Sequence, residues 1–310
     1  MKVLITGGAG FIGSHIAAYF QGRAEVRVLD NLRSGYRHHL DGFEIDFIEG
    51  SVTDRAMVDK AVQGVDYVFH LAAMISVPES MHDPAGCVEI NVRGLLNVLR
   101  ASADAGVRKL CLSSSAAIYG DNPELPKREE MVPEPKSPYA ITKLDGEYYC
   151  RMFQEEGWLD TVSLRYFNVF GPRQDPGSAY AAAVPIFIHK ALRNEDLTIF
   201  GDGQQTRDFI YVQDVVQANV FFATESNASG TFNVAYGGIQ TINELAERIV
   251  ALTGSSSSIH HGPERPGDVK HSQASVEKAC AAGFLPSGDF DRGLEETIAW
   301  YANTGTTFHR

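Results

Sequence analysis

Cysteine is scarce: Cys87, Cys111, Cys150 and Cys280 are the only four in 310 residues, far apart and with no Cys-x-x-Cys pair. Such usage offers neither a disulfide framework nor a zinc site and fits a reducing compartment, so a cytoplasmic protein is expected. Positive charge is also short, with 27 Lys and Arg against 39 Asp and Glu and a net charge of −12. That balance argues against nucleic acid or an anionic membrane as the main partner, while leaving room for a local basic pocket. No apolar stretch is long enough to span a bilayer. The apolar start imitates a secretory signal only faintly, because Gly7, Gly8, Gly10 and Gly13 break it, and no signal peptide is expected. Internal repeats and a low-complexity tail are absent as well. What is present, 44% hydrophobic residues, can fill one large core or two modest ones.

Lys2-Val-Leu-Ile-Thr6 is short and nearly all apolar, the pattern of a strand buried on both faces of a parallel sheet. It runs into Gly7-Gly-Ala-Gly10-Phe-Ile-Gly13, a glycine turn that opens a helix. Gly7 and Gly10 let the chain turn tightly and approach a pyrophosphate; Gly13 lets the helix pack on the strand, and the helix N-terminus faces the anion. Val26-Arg-Val-Leu29 reads as a second strand ending at Asp30, about 20 residues past the turn, where a carboxylate binds the adenosine ribose. An acidic group there repels a 2′-phosphate, so the expected cofactor is NAD and not NADP. It is expected along Gly7, Gly10, Phe11, Ile12 and Gly13, past Asp30, Asn31, Ser34 and Gly35, then Ser51, Val52, Leu71, Ala72 and Ala73. Asn91, Ser113, Tyr139, Lys143 and Tyr166 complete that set.

The alternation continues through a third strand ending at Phe47-Ile48, a helix over 54–63, and strands at Tyr67–His70, Lys109–Leu112 and Val162–Tyr166, with one long helix over 85–105 between them. Strands separated by helix-length segments mean an α/β fold with a doubly wound parallel sheet. After Tyr166 the texture changes. Residues 167–173 read as turns, Leu197–Phe200 as an isolated strand, Thr231–Val234 as a further strand, and 181–194, 241–253 and 291–303 as helices. The expected division is a dinucleotide-binding domain over 1–166, rejoined by parts of 205–235, and a smaller discontinuous α+β lobe over 167–310.

Candidate chemistry lies between Ser113 and Lys143. Ser137-Pro138 is a helix-start signal, with Ser as cap and Pro at the first helical position. Tyr139 and Lys143 then share one face a turn apart. The ammonium is expected to pull the Tyr139 pKa from about 10 toward the value of about 7 at which a general base works best. Ser115 supplies a hydroxyl that could hold a substrate oxygen beside Tyr139. Tyr-x-x-x-Lys by itself is more often an ordinary surface pair; the glycine turn and Asp30 make the difference here.

Taken in order, Thr6-Gly7-x-x-Gly10-x-x-Gly13, Ser115 with Tyr139-x-x-x-Lys143, and Arg265-Pro-Gly-Asp268 resemble the extended short-chain dehydrogenase/reductase superfamily, and within it the UDP-hexose 4-epimerases. The resemblance implies a UDP-sugar substrate, with Asn168 and Arg207 at the diphosphate and Arg265 and Asp268 at the uridine ribose and phosphate. It implies a proton taken by Tyr139, a transient 4-keto sugar that rotates, and return of hydride to its other face. Related dehydratases and decarboxylases carry an acidic residue two positions after the catalytic Ser or Thr; Ala116 and Ala117 follow Ser115 here, which argues against elimination. Ser272, four residues after Asp268, stands where epimerases restricted to glucose and galactose have a bulky tyrosine, so room for a 2-acetamido group and use of UDP-GlcNAc and UDP-GalNAc are implied. Where relatives usually place Asp near the adenine, the chain has Ser51. A homodimer through the helices near 90–105 and 139–155 is implied as well. The alternatives are a UDP-glucuronate 4-epimerase, a keto-sugar-nucleotide reductase, and a non-catalytic NAD-sensing protein. His260-His261 lacks a third ligand at useful spacing, so no metal is expected and the pair is placed at a strand end or loop. His38-His39 is expected in a solvated loop, and Glu129-Glu130 as an exposed charge run.

Overall fold

The computed structural model describes residues 1–177, 182–264 and 270–304. Six strands, β1 (Lys2–Thr6), β2 (Glu25–Asp30), β3 (Ile45–Glu49), β4 (Tyr67–His70), β5 (Lys109–Ser115) and β6 (Asp160–Tyr166), join the later strand Gly230–Val234 in one parallel sheet. The order across it is Gly230–Val234, β6, β5, β4, β1, β2, β3. Alternate residues of β1 explain its unbroken apolar run: Val3 and Ile5 pack into one cluster with Ile16 and Phe20, whereas Leu4 packs into the other with Val68 and Leu110. Both faces of the strand are therefore core. The chain winds one way from β1 to β3 and the other way from β4 onward. A crevice consequently opens at the carboxyl ends of β1 and β4, the switch point where open α/β sheets bind ligands.

The expected helix over 85–105 is three continuous pieces: an α-helix at Pro84–Val88, a wide π turn at Glu89–Arg93 and an α-helix at Gly94–Asp104. Helix Pro138–Glu155 begins as its sequence signals, with Pro138 at the first turn and the Ser137 hydroxyl accepting from Ala140 N at 3.2 Å.

Beyond β6, stretches expected as turns or isolated strands find partners distant in sequence. Asn168–Phe170 pairs in parallel with Phe209–Tyr211, and Leu197–Phe200 pairs with Ile259–Gly262. His260 and His261 therefore lie within a strand, with His260 Nε2 3.2 Å from Asp196 Oδ2 and His261 Nε2 2.9 Å from Asn243 Oδ1. A separate apolar cluster, drawn from residues between Phe170 and Tyr301, packs helix Ala183–Leu192 against Ile242–Thr253 and Phe290–Thr304. Among the described residues no helix is long and apolar enough to cross a membrane.

Candidate active site

The glycine turn is built so that backbone can meet backbone. Gly7 has φ +73°, and a Cβ there would lie 2.7 Å from Ala72 N; at Gly13 it would lie 2.3 Å from Gly7 O. Helix Phe11–Phe20 starts immediately after, with no side-chain cap and no acidic residue in its first turn, so its leading N–H groups are open to an anion. Asp30 is buried, and its carboxylate accepts from Ala9 N at 2.9 Å and Leu32 N at 2.8 Å. Burial pushes its pKa up, against those two bonds. Of the residues expected along the dinucleotide, all but Asn91, Tyr139, Lys143 and Tyr166 line one cleft of about 380 Å³ at this sheet edge. A glycine floor, open helix N–H groups and a carboxylate at the end of β2 in one cleft fit NAD.

Asn91 and Lys143 border a small void behind the cleft, together with Ala72 and Ala73. The π turn aims Asn91 inward, where its Oδ1 accepts from Met74 N at 2.7 Å and its Nδ2 donates to Thr142 Oγ1 at 3.0 Å. Tyr166 is buried with its hydroxyl on Asn219 Oδ1 at 2.9 Å. Ser51 lines the cleft, its Oγ 2.8 Å from Thr53 Oγ1.

Several cleft residues carried no sequence signal. His39, expected in solvent, is buried against the turn with Nδ1 3.1 Å from Ala9 O, and burial drives its pKa down to about 4. Tyr36 donates to Asp175 Oδ2 at 2.7 Å, bringing Arg173, Gln174 and Asp175 over the cleft from the far side of β6.

Ser115, Tyr139 and Lys143 converge at the end of β5. The Ser115 Oγ accepts from Ala117 N at 3.1 Å, which leaves its own proton free to donate. The Tyr139 main-chain N donates to Ser80 Oγ at 3.2 Å, and Lys143 Nζ donates to Ser113 O at 2.7 Å. The electrostatics differ from the sequence expectation. Burial raises the Tyr139 pKa; a hydrogen bond with Ser115 opposes that rise and Cys87 adds to it. The ammonium of Lys143 sits 5.8 Å from the centre of the Tyr139 ring, directed at Ser113 O, and its own pKa falls to about 8 through burial. Spacing alone put the two side chains together, but burial decides the sign of both shifts.

Beneath the trio lies a buried ion pair the sequence did not announce. Glu147 takes Arg165 in a two-point grip, 2.9 Å to Nε and 2.7 Å to Nη2, and also accepts from Ser114 Oγ. Arg165 continues to Tyr119, whose hydroxyl donates to Asn233 Oδ1. Glu129, expected as exposed, is half-buried and accepts from Asn233 N at 2.7 Å.

On the other side of the site, Asn168, Arg207 and Ser272 gather around the two-residue strand Thr206–Arg207. Asn168 donates through N and Nδ2 to Asp208 O, at 3.2 and 3.0 Å. Ser272 N donates to Thr206 O at 3.1 Å. Arg207 Nη1 donates to Thr206 O at 2.9 Å. Arg265 and Asp268 lie outside the described residues.

A family model described as the NAD dependent epimerase/dehydratase family matches residues 3–235. The solved structure of a UDP-N-acetylglucosamine 4-epimerase from Methanobrevibacter ruminantium M1, in complex with UDP-N-acetylmuramic acid, matches with a TM-score of 0.95 at 41% identity, over 98% of this chain and 99% of that one. The UDP-glucose 4-epimerase of Mycolicibacterium smegmatis is 34% identical over 311 residues, covering 98% of this chain and 99% of the relative. The chain is also 35% identical over 318 residues to a UDP-N-acetyl-alpha-D-glucosaminuronate decarboxylase of Bacillus cytotoxicus, covering 97% of each.

Proposed function

The chain belongs to the NAD dependent epimerase/dehydratase family, and from that premise we propose that it inverts C4 of UDP-hexoses, interconverting UDP-GlcNAc with UDP-GalNAc and accepting UDP-glucose and UDP-galactose as well. It is an NAD-dependent enzyme of the epimerase type. The chemistry NAD supplies when bound is reversible hydride transfer at the sugar C4. Ser115 donates a hydrogen bond to the 4-oxygen while Tyr139 takes the 4-hydroxyl proton. The 4-keto sugar turns about its link to a diphosphate held by Asn168 and Arg207, with Arg265 and Asp268 at the uridine ribose and phosphate, within a lobe over 167–310, and Tyr139 returns the proton. Lys143 fixes the nicotinamide ribose and keeps positive charge beside the phenol.

One observation carries this reading over its neighbours: Ser115 is followed by Ala116 and Ala117, which can move no proton. Likeness to the decarboxylase therefore does not carry that reaction to this chain, where a second acid–base group at this position is missing. Ser272, as small as it is, supports use of 2-acetamido sugars. Ile141, Tyr148 and Met152 are exposed apolar residues on helix Pro138–Glu155, and they support a homodimer in which this helix and the one near 90–105 meet their copies.

The test is epimerisation of UDP-GlcNAc and UDP-glucose by purified protein, with sugar nucleotides resolved chromatographically and no NAD added. Conversion of both is expected, and Tyr139→Phe should abolish turnover while leaving the fold intact. Normal activity in that variant would sink the assignment. Conversion of UDP-glucose alone would overturn the role given to Ser272.

A further inference from the structure

We infer that Asp208 is a positioning residue that ties the nucleotide anchor to the sugar gate, so that one buried carboxylate governs both how tightly a sugar nucleotide is held and how strictly its sugar is chosen. The inference rests on the sugar-nucleotide reading above.

Asp208 directly follows Arg207 and is fully buried. Among the described residues its carboxylate meets main-chain N–H groups and no cation. Oδ1 accepts from Tyr236 N at 2.9 Å and from Gly237 N at 3.3 Å, and Oδ2 accepts from Gly237 N and from Ala274 N, each at 3.1 Å. Its main-chain oxygen accepts both the N and the Nδ2 of Asn168. One residue thus joins the Asn168 strand, the turn after Gly230–Val234, and the segment that carries Ser272.

That last segment is held between two neighbours. Ser272 N reaches Thr206 O on one side; on the other, Gln273 O accepts from Lys127 N at 2.8 Å and Ser275 N donates to Lys127 O at 2.8 Å. Ala274, between those contacts, is buried and anchored inward by Asp208. The gate residue is therefore fixed relative to Arg207 through the carboxylate of Arg207's own neighbour.

Keeping an anion here is costly: burial lifts the Asp208 carboxyl to about 7 even with backbone amides opposing the shift. The geometry explains why a neutral amide does not do the same work. A carboxylate accepts on both oxygens, whereas an Asn side chain accepts on one atom and donates on the other. With Asp208→Asn, an amide oxygen kept on Tyr236 and Gly237 turns the amide nitrogen toward the Ala274 N–H, donor against donor. The flipped amide leaves Tyr236 N facing a donor instead. Either way one of the two segments loses its anchor, and a buried unsatisfied donor is expensive.

Asp208→Asn should raise KM for both UDP-sugars by about tenfold or more. Its kcat should change less than threefold, bound NAD should be retained, and the ratio of kcat/KM for UDP-GlcNAc to that for UDP-glucose should move toward one. A merely structural role would lower the active fraction and leave KM and that ratio alone. Hydrogen exchange of the unaltered enzyme with UDP covers the case of a variant that does not fold. Peptides containing 236–237 and 270–276 should gain protection together, over the same UDP concentrations. With wild-type turnover present, an unchanged KM and ratio in D208N, or protection of one segment without the other, overturns the inference alone. A wild type that converts neither sugar and shows no UDP-dependent protection overturns both the inference and the function it rests on.

Discussion

The buried pair of Glu147 and Arg165 makes a quantitative demand on the fold. Both side chains are 5% exposed, and they meet through two parallel N–H···O bonds at 2.9 and 2.7 Å. Arg165→Met would leave the carboxylate with only the Ser114 hydroxyl and strip Tyr119 of its 2.8 Å donor. An uncompensated buried charge costs about 3–5 kcal/mol, a large part of the roughly 5–15 kcal/mol that a folded domain has to lose. Replacing both partners, Glu147→Leu with Arg165→Met, removes the charges together and should cost far less than the two single changes summed, because apolar side chains of similar volume often substitute neutrally. The coupling energy from the cycle should then be about 2–3 kcal/mol. Guanidinium denaturation of the four proteins at pH 7 measures it. Additive single effects, or a loss below about 1 kcal/mol for Arg165→Met, would refute the claim that the pair is desolvated and mutually dependent. Function should follow, because Ser114 binds Glu147 directly and precedes Ser115 on β5.

Two further changes test other parts of the site. Gly13→Ala places a Cβ 2.3 Å from Gly7 O and 2.8 Å from Gly8 Cα, all backbone, so the turn must shift; a loss of about 1–3 kcal/mol is expected, together with NAD that no longer co-elutes on gel filtration, and wild-type melting with full NAD retention would contradict the close packing described. His15 and His70 are held neutral by burial, with pKa values lowered to about 4 and about 3. Their contribution is complete above the unfolded value of about 6.5 and is lost as pH falls, since the unfolded chain binds the protons first, at up to about 1.4 kcal/mol per pH unit for each. Asp208, its carboxyl raised to about 7, gains stability as pH falls over the same window, so the rings are read by comparison: between pH 6.5 and 4.5 the wild-type melting temperature should fall more steeply than that of His15→Gln or His70→Gln, and equal slopes would contradict the burial of both rings.

What the sequence disclosed and what it withheld divide by distance along the chain. The glycine turn, Asp30 and the Ser137 cap act on residues a few positions away, and β1 shows its burial in its own composition, so all could be read without a partner. The short strand Asn168–Phe170 could not, because a three-residue run has no period to detect and its pairing mate lies at Phe209–Tyr211. Glu147 and Arg165 look like two more surface charges until helix and strand are packed together. Asn91 sits in a helix by pattern, yet only the wide turn at Glu89–Arg93 rotates it onto Thr142. Asp208 is the extreme case, a motif neighbour whose partners are main-chain atoms of residues 236, 237 and 274, invisible to any reading of side chains.

Tyr139 and Lys143 show the same limit in energetic form. Their spacing fixes that they meet, but the sign of their pKa shifts depends on how much water the finished fold removes. With water excluded, Tyr139 is pushed up and Lys143 down, so the bare pair holds its protons in an order that favours phenol over phenolate. The same low dielectric enlarges the effect of every charge placed nearby. If Tyr139 is the base, as proposed, the positive charge of bound NAD and the Ser115 hydroxyl would act on its proton more strongly here than at the surface. On that role, burial would make the pair a poor base at rest and sensitive to its ligands.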